Sequence, residues 1–139
     1  MTSKGQVEEQ FDPENELEEE LLAAQQGKLN LDEFMVRLLK SDLFIPSATP
    51  FDDDLAKATP LIYKREGKQL LTVFTSLERA KTAQSKASYC LSMNARELVL
   101  RMPPEHGVVI NPGYRVGLEL DPVAVSDLKA RAQQVQRTQ

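Results

Sequence analysis

Apolar residues near the C-terminal end of the chain form two runs that predict a β-hairpin over residues 107–121. The first run, Val-Val-Ile, is β-branched and suits a buried strand. In the second run, valine and leucine alternate with more polar residues, which is typical of a strand with one apolar face. Asn111, Pro112 and Gly113 between the runs predict a type II turn, since proline fixes φ at its second position and glycine accepts the positive φ that follows.

Elsewhere the apolar residues recur at the three- to four-residue spacing of amphipathic helices, most clearly over residues 31–39. Helix starts are marked by a capping-box pattern, in which Asn or Thr precedes Glu by three positions and both side chains satisfy free backbone N–H groups. The pattern occurs at Asn15 with Glu18, Asn30 with Glu33, Thr75 with Glu78, and Asn94 with Glu97. Asp121 followed by Pro122 predicts the start of a final helix, because proline is well tolerated at the first helical position.

Short strand-forming runs between these helices predict four more strands, at residues 43–46, 61–64, 69–74 and 89–93. Together with the hairpin they give the order α-α-β-β-β-α-β-α-β-β-α. Strands come both as hairpins and after single helices, so we expect an α+β fold with a mixed β-sheet and flanking helices. The length of 139 residues fits a single domain over 14–136, preceded by an acidic flexible tail over 1–13.

The net charge of −4 is distributed unevenly along the chain. Residues 1–20 carry eight acidic residues and one basic residue, and the remainder carries a net charge of +3 with its basic residues scattered singly. A nucleic-acid surface needs clustered Lys and Arg, so we expect no nucleic-acid partner. No apolar run approaches the ~20 residues of a membrane span, and the N-terminus lacks the apolar core of a signal peptide. We therefore expect a cytoplasmic protein without membrane contact.

The chain offers few residues for catalysis or metal binding. With one cysteine and one histidine it forms no internal disulfide and no Cys/His metal cluster, and we expect no cofactor. Cys90 is a candidate nucleophile if its thiolate is stabilised, alone or with His106 as a base. Its neighbours, however, predict a strand, in which a cysteine usually serves as small packing material. No Ser or Asp partner stands at a recognisable motif around His106, so a plain surface loop residue is favoured there.

Acidic side chains are the more promising contact groups. Asp52, Asp53 and Asp54 form a run in a predicted loop, and the first helix adds Glu18 and Glu19 near its start. The aspartates lack the spacing of a calcium-binding loop, so a solvated acidic loop is favoured over a cation site. These five carboxylates are more credible as contacts for a basic protein partner than as a cation site.

Three segments stand out together: NELEEELLAAQQGKLNLDEFMVRLLKSDLFIP at 15–46, LLTVFTSLERA at 70–80, and NARELVLRMPPEHGVVINPGYRVGLELDP at 94–122. This combination resembles the N-terminal domain of the SseB family, named for enhanced serine sensitivity. The resemblance implies a bacterial cytosolic α/β protein without an established enzymatic activity. Longer family members carry a second, C-terminal domain, and the resemblance leads us to expect only the N-terminal one here. Residues that match recurrent family positions are Phe74, Thr75, Ser76, Asn111, Pro112 and Gly113.

Three functional hypotheses follow. The preferred one is a non-catalytic adaptor or regulatory domain that binds another protein, because catalytic motifs are missing and acidic contact groups are present. The second is a small acidic chaperone or immunity-type inhibitor of a secretion system, which a homodimer would favour. The third is a small enzyme that uses Cys90, and it requires a lowered thiol pKa.

Overall fold

The computed structural model describes residues 12–49 and 59–137, in which five helices follow the predicted order. They are α1 (Glu16–Gln25), α2 (Leu31–Leu39), α3 (Leu77–Ala80), α4 (Ala95–Arg101) and α5 (Pro122–Arg137). A 3-10 turn over Lys81–Ala83 extends α3. In these two ranges, no helix has the length and apolar character needed to cross a membrane. Most of the predicted tail 1–13 and the Asp52–Asp54 run lie outside the described residues.

Six strands complete the described fold. They are β1 (Asp42–Ser47), β2 (Ile62–Arg65), β3 (Lys68–Val73), β4 (Tyr89–Asn94), β5 (His106–Ile110) and β6 (Leu118–Leu120). They form two sheets where the sequence predicted one: β1 pairs antiparallel with β4, and the larger sheet has the order β2-β3-β5-β6. The larger sheet is mixed, because β3 and β5 are parallel while its other pairs are antiparallel. The α+β class and the element order are therefore confirmed.

The two sheets meet along one side of β1. The N–H of Phe44 donates to the carbonyl of Phe74 at 2.9 Å, and the N–H of Phe74 donates back at 2.8 Å. Farther along, the N–H of Leu61 donates to the carbonyl of Pro46 at 3.4 Å. Pro46 itself has no N–H with which to continue a ladder on this side, so the contact consists of isolated bridges. As a result, β1 lies between β4 and the larger sheet.

The core lies on one face of the larger sheet. Strand alternation sends Leu71, Val73, Val108 and Ile110 to the same face, where all four are buried. Helices cover this face with buried side chains that include Leu21, Phe34, Leu38, Leu98 and Leu128. The apolar stripe of α1, which includes Leu17 and Leu21, thus packs within the domain.

Side-chain caps define most helix starts where the sequence predicts them. Asn15, Asn30 and Asn94 each accept a backbone N–H from the first turn of the helix that follows. The carboxylate of Asp121 likewise accepts the N–H of Ala124 at 2.9 Å. The cap predicted at Thr75 is wrong by one residue: Ser76 caps α3. Thr75 is unavailable because its hydroxyl is bonded elsewhere, as described below.

The predicted hairpin forms between β5 and β6, with a longer connection than a simple turn. A type II turn occupies its first part, in which Gly113 has φ +88° and the N–H of Tyr114 donates to the carbonyl of Asn111 at 3.1 Å. Three more residues then precede β6, and within them Val116 is buried in the core. The segment from Asn111 to Gly117, which we call the turn loop, therefore packs on the domain and presents a fixed outer surface.

Candidate functional site

The residues that carry the family resemblance meet where β3 ends and the turn loop begins. Phe74, Thr75 and Ser76 connect β3 to α3, and Asn111 follows β5, which is the parallel neighbour of β3. The N–H of Asn111 donates to the carbonyl of Val73 at 2.9 Å and so extends that pairing by one residue. We call the cluster of Glu18, Thr75, Arg79 and Asn111 the motif junction.

Asn111 and Thr75 form the centre of the motif junction. The N–H of Thr75 donates to Oδ1 of Asn111 at 3.1 Å, and Nδ2 of Asn111 donates to the Thr75 hydroxyl at 2.9 Å. The same Nδ2 also reaches the carbonyl of Val116 at 3.3 Å. Asn111 has φ +57°, a left-handed conformation that asparagine tolerates better than most residues. Conformation and hydrogen bonding therefore both favour asparagine here.

Glu18 extends the junction to α1, and this corrects its predicted role as a surface contact. Its side chain is fully buried, and its carboxylate accepts the Thr75 hydroxyl at 2.5 Å. Arg79 binds both carboxylate oxygens at 3.0 Å, from Nε and from a terminal nitrogen. Burial alone would raise the pKa of Glu18, but the hydrogen bonds from Arg79, Thr75 and the Glu14 N–H outweigh it and lower the pKa. Glu18 is therefore a charged structural residue, whereas Glu19 is exposed.

Arg79 and Tyr114 close the junction, and sequence reasoning missed both. The Arg79 guanidinium lies 5.1 Å from the centre of the Tyr114 ring, and the Tyr114 hydroxyl donates to the Arg79 carbonyl at 3.1 Å. Phe74 meets the same ring edge-on, with ring centres 6.3 Å apart. The sequence did contain a signal for this cluster. Glu18 flanks the apolar stripe of α1, and burial of a charged side chain there costs free energy unless it has a partner.

The motif junction joins three segments and does not expose reactive groups. A hydroxyl bonded to a carboxylate, as in Thr75 and Glu18, resembles a nucleophile with its base. However, Thr75 is 2% exposed and Glu18 is 0% exposed, so no substrate reaches them. The carbonyl of Thr75 is also occupied, since it accepts Nδ2 of Asn15 at 2.8 Å. The geometry supports a structural role that fixes the turn loop and α1 against β3.

Cys90 lies away from the junction, in β4 opposite Pro46. A groove of about 170 Å³ adjoins it, lined mainly by small and apolar side chains that include Leu77, Ala80 and Ala87. Partial burial raises the pKa of the Cys90 thiol, the opposite of what an activated cysteine needs. His106 begins β5 in the other sheet, where its Nδ1 is buried without a partner among the described residues. The predicted loop position of His106 is therefore wrong.

The outer edge of β4 carries backbone groups that β1 does not use. Phe44 directs its N–H and C=O toward the larger sheet and Pro46 its C=O, so the backbone groups of Ile45 between them point toward β4. Cys90 and Ser92 lie opposite Pro46 and Phe44 in the antiparallel register, and their N–H and C=O groups therefore point outward. In the described ranges no strand pairs with this edge. We call it the free edge of β4.

Neither a metal site nor the predicted aspartate contact can be located in the described part of the chain. No group of three or more His, Cys, Asp or Glu residues suited to a metal occurs in residues 12–49 and 59–137. Asp52, Asp53 and Asp54 lie outside these ranges, so their role stays a prediction.

Comparisons with known proteins place the chain in a family. No curated protein and no solved structure was found to match it. A family model described as the SseB protein N-terminal domain matches residues 17–127, which include α1, the motif junction, the turn loop and the start of α5. That description names no reaction. Because the match covers most of the chain, this protein belongs to the SseB family through its N-terminal domain.

Proposed function

We propose that this domain is a non-catalytic protein-binding module that accepts an extended segment of another protein at the free edge of β4. The observation that carries the proposal is the outward direction of the Cys90 and Ser92 backbone groups on an uncharged edge strand. Addition of a strand to such an edge is a common mode of peptide recognition, in which main-chain hydrogen bonds supply affinity. The segment that binds would extend the two-stranded sheet to three strands.

Three strands, β2, β6 and β4, lie at outer edges of the two sheets, and their sequences favour β4 as the one that accepts an added strand. Edge strands normally avoid unwanted pairing by being short or by carrying charge. β2 ends in Lys64 and Arg65, and β6 has only three residues, one of them Glu119. β4 has six residues, Tyr-Cys-Leu-Ser-Met-Asn, and none is charged or proline. It is therefore the edge with the least protection against pairing.

The groove beside Cys90 supplies a place for a side chain of the bound segment. Leu77 and Tyr89 line it, and they are 52% and 47% exposed. Large apolar side chains gain roughly 1.5–3 kcal/mol when fully buried, so covering these two would add to the backbone hydrogen bonds. Alternate residues of an added strand point to the same face, and one of them would enter this groove.

The non-catalytic part of the proposal is supported by the state of the candidate reactive groups. The Cys90 thiol has a raised pKa, and the Thr75 hydroxyl is sealed inside the motif junction. Carboxylates remain candidates for a second contact with a basic region of the same partner. They are Glu19 on α1 and the predicted Asp52, Asp53 and Asp54 contact.

The decisive variant is Ser92→Pro. Proline removes one outward N–H and adds a ring on the free edge, while the β1 ladder uses the groups of the neighbouring residues. Tagged wild type, Ser92→Pro and Ser92→Ala are used as baits in lysate of the source organism, and retained proteins are quantified by mass spectrometry. We expect one protein to be retained by wild type and Ser92→Ala and to fall at least about tenfold with Ser92→Pro, because a backbone hydrogen bond and its packing are both lost.

Two measurements make the outcome unambiguous. Thermal unfolding of Ser92→Pro establishes that the variant is folded before its binding is compared. Size-exclusion chromatography of the wild type distinguishes a foreign partner from a second copy of this chain. Equal retention by all three folded baits would overturn strand addition. If retention instead falls when Asp52, Asp53 and Asp54 are changed to Asn, the acidic contact alone accounts for binding.

A further inference from the structure

We propose a second binding surface, on the face of the larger sheet opposite the core, that takes an acidic segment of a partner protein through Arg115. This surface is independent of the free edge of β4. It is a groove of about 340 Å³ between β2, β6 and the turn loop. Its principal side chains are Tyr63, Arg65, Tyr114, Arg115 and Glu119, together with Gln25 of α1. We call it the arginine groove.

Strand alternation explains why polar groups gather on this face. Tyr63 and Arg65 lie two residues apart in β2, and Val109 of β5 pairs with Glu119 of β6. They occupy the face opposite Val108 and the other core residues, so they are not covered by the helices. Tyr63 is 43% exposed although it is large and aromatic. An exposed aromatic side chain between charged ones is typical of a recognition surface.

The charges of the arginine groove favour an anionic ligand. Arg65 is neutralised by Glu119, with a nitrogen-to-oxygen distance of 3.0 Å, and it stacks 5.4 Å from the centre of the Tyr63 ring. Arg115 has no ion pair to any residue in 12–49 or 59–137, and it leaves the groove with one excess positive charge. The whole chain carries a net charge of −4, so attraction of an anionic segment depends on this local positive charge.

Arg115 is held on a rigid support. Gln25 donates to the carbonyl of Arg115 at 3.1 Å and accepts the N–H of Gly117 at 3.3 Å, so α1 holds both sides of this part of the turn loop. Below it, Asn111 ties the loop to Thr75. A binding loop that is ordered before its ligand arrives loses less conformational entropy on binding. The hydrogen bonds of the motif junction thus help to fix the position of the turn loop that lines the arginine groove.

The chemistry of the groove fits carboxylates on an extended protein segment. A guanidinium such as that of Arg115 binds a carboxylate through two parallel hydrogen bonds, and Tyr63 lines the groove beside it. One excess positive charge is too little for a nucleic-acid backbone, whose affinity depends on neutralising several phosphates. We therefore assign the groove to an acidic protein segment.

The test is selection from a phage library of random dodecapeptides on the immobilised full chain. Enriched sequences are synthesised with a fluorescent label and their affinities are measured by anisotropy. We expect an excess of Asp and Glu among them, with affinity at least tenfold weaker for Arg115→Glu and intermediate for Arg115→Lys, which keeps the charge and loses the paired hydrogen bonds. Lys40→Glu is the matched control, since it makes the same charge change at the end of α2, outside the groove.

Each alternative outcome is distinguishable. Enriched peptides without an acidic excess, or acidic peptides that bind Arg115→Glu as well as wild type, would overturn the proposal. Peptides lost with Ser92→Pro but kept with Arg115→Glu would support the free edge of β4 and count against the arginine groove. Tighter binding of a labelled twelve-nucleotide RNA than of any selected peptide would replace the acidic segment with nucleic acid.

Discussion

The Asn111 side chain and Thr75 bind each other in both directions across two parallel strands, at 3.1 Å and 2.9 Å. Asn111→Ala removes both hydrogen bonds and leaves the buried N–H of Thr75 without its partner. It also places alanine in a left-handed conformation, at φ +57°. We expect the free energy of unfolding to fall by about 2–4 kcal/mol, measured by denaturant titration.

Asn111→Gly separates the contribution of the hydrogen bonds from that of the left-handed backbone conformation. Glycine adopts the positive φ without steric cost, so this variant loses the hydrogen bonds alone and should be the more stable of the two by about 1 kcal/mol. Equal stability of Asn111→Gly and wild type would contradict the importance assigned to the side chain.

Glu18→Gln should destabilise the protein strongly at neutral pH. Arg79 has a side chain that is 12% exposed, and removal of the Glu18 charge takes away the carboxylate that its guanidinium binds through two hydrogen bonds. We expect a loss of about 3 kcal/mol in chemical unfolding, the usual cost of breaking a buried ion pair. The double variant Glu18→Leu with Arg79→Leu should be more stable than Glu18→Gln, since it removes both charges. If the double variant is less stable than Glu18→Gln, the broken ion pair does not explain the destabilisation of Glu18→Gln.

The same pair makes stability depend on pH. Because the pKa of Glu18 is lowered on folding, its contribution is fully present above the ordinary glutamate pKa of about 4.3 and is lost as the pH falls through the lower folded value. The free energy of unfolding of wild type should therefore drop more steeply than that of Glu18→Gln between pH 5 and the acid limit. Parallel pH profiles of the two proteins would contradict a lowered pKa.

Gly117 and Gly113 lie in the same loop and should respond differently to alanine. A Cβ at Gly117 would lie 2.5 Å from the carbonyl oxygen of Ile110, so the backbone must shift. At Gly113 the space is open and only the φ of +88° is unfavourable. We expect losses of more than about 2 kcal/mol for Gly117→Ala and about 1 kcal/mol for Gly113→Ala in thermal or chemical unfolding. The reverse order would show that the loop does not pack as described.

Cys90 should react slowly with iodoacetamide. Partial burial raises the pKa of its thiol, so the reactive thiolate is scarcer at neutral pH than in a free cysteine. We expect the alkylation rate at pH 7 to lie below that of a cysteine-containing peptide measured in parallel. A rate above that of the peptide would revive the hypothesis of a Cys90 enzyme.

Local signals in the sequence predicted the elements well because their causes are local. The caps at Asn15, Asn30 and Asn94 depend on side chains that reach two or three residues along the chain. The type II turn at Pro112 and Gly113 is equally local. These features followed from residue identity and spacing.

What the sequence did not predict depends on contacts between distant segments. Thr75 matched a capping pattern, but its hydroxyl is bonded to Glu18, 57 residues away, and Ser76 caps the helix instead. Glu18 appeared to be a surface acid because its partner Arg79 lies in a different helix. The division into two sheets likewise depends on where Pro46 meets the larger sheet. No short-range pattern encodes these pairings.

The motif junction also bears on the order of events in folding. Glu18 and Arg79 are 61 residues apart, and Thr75 and Asn111 are 36 residues apart, so each pair closes a long loop. Long loops are costly to close before the contacts they bring are formed, so these contacts belong to the late part of folding. Interactions that form late chiefly slow unfolding and hardly affect the folding rate. The residues of the motif junction would then set how long the native state persists once formed.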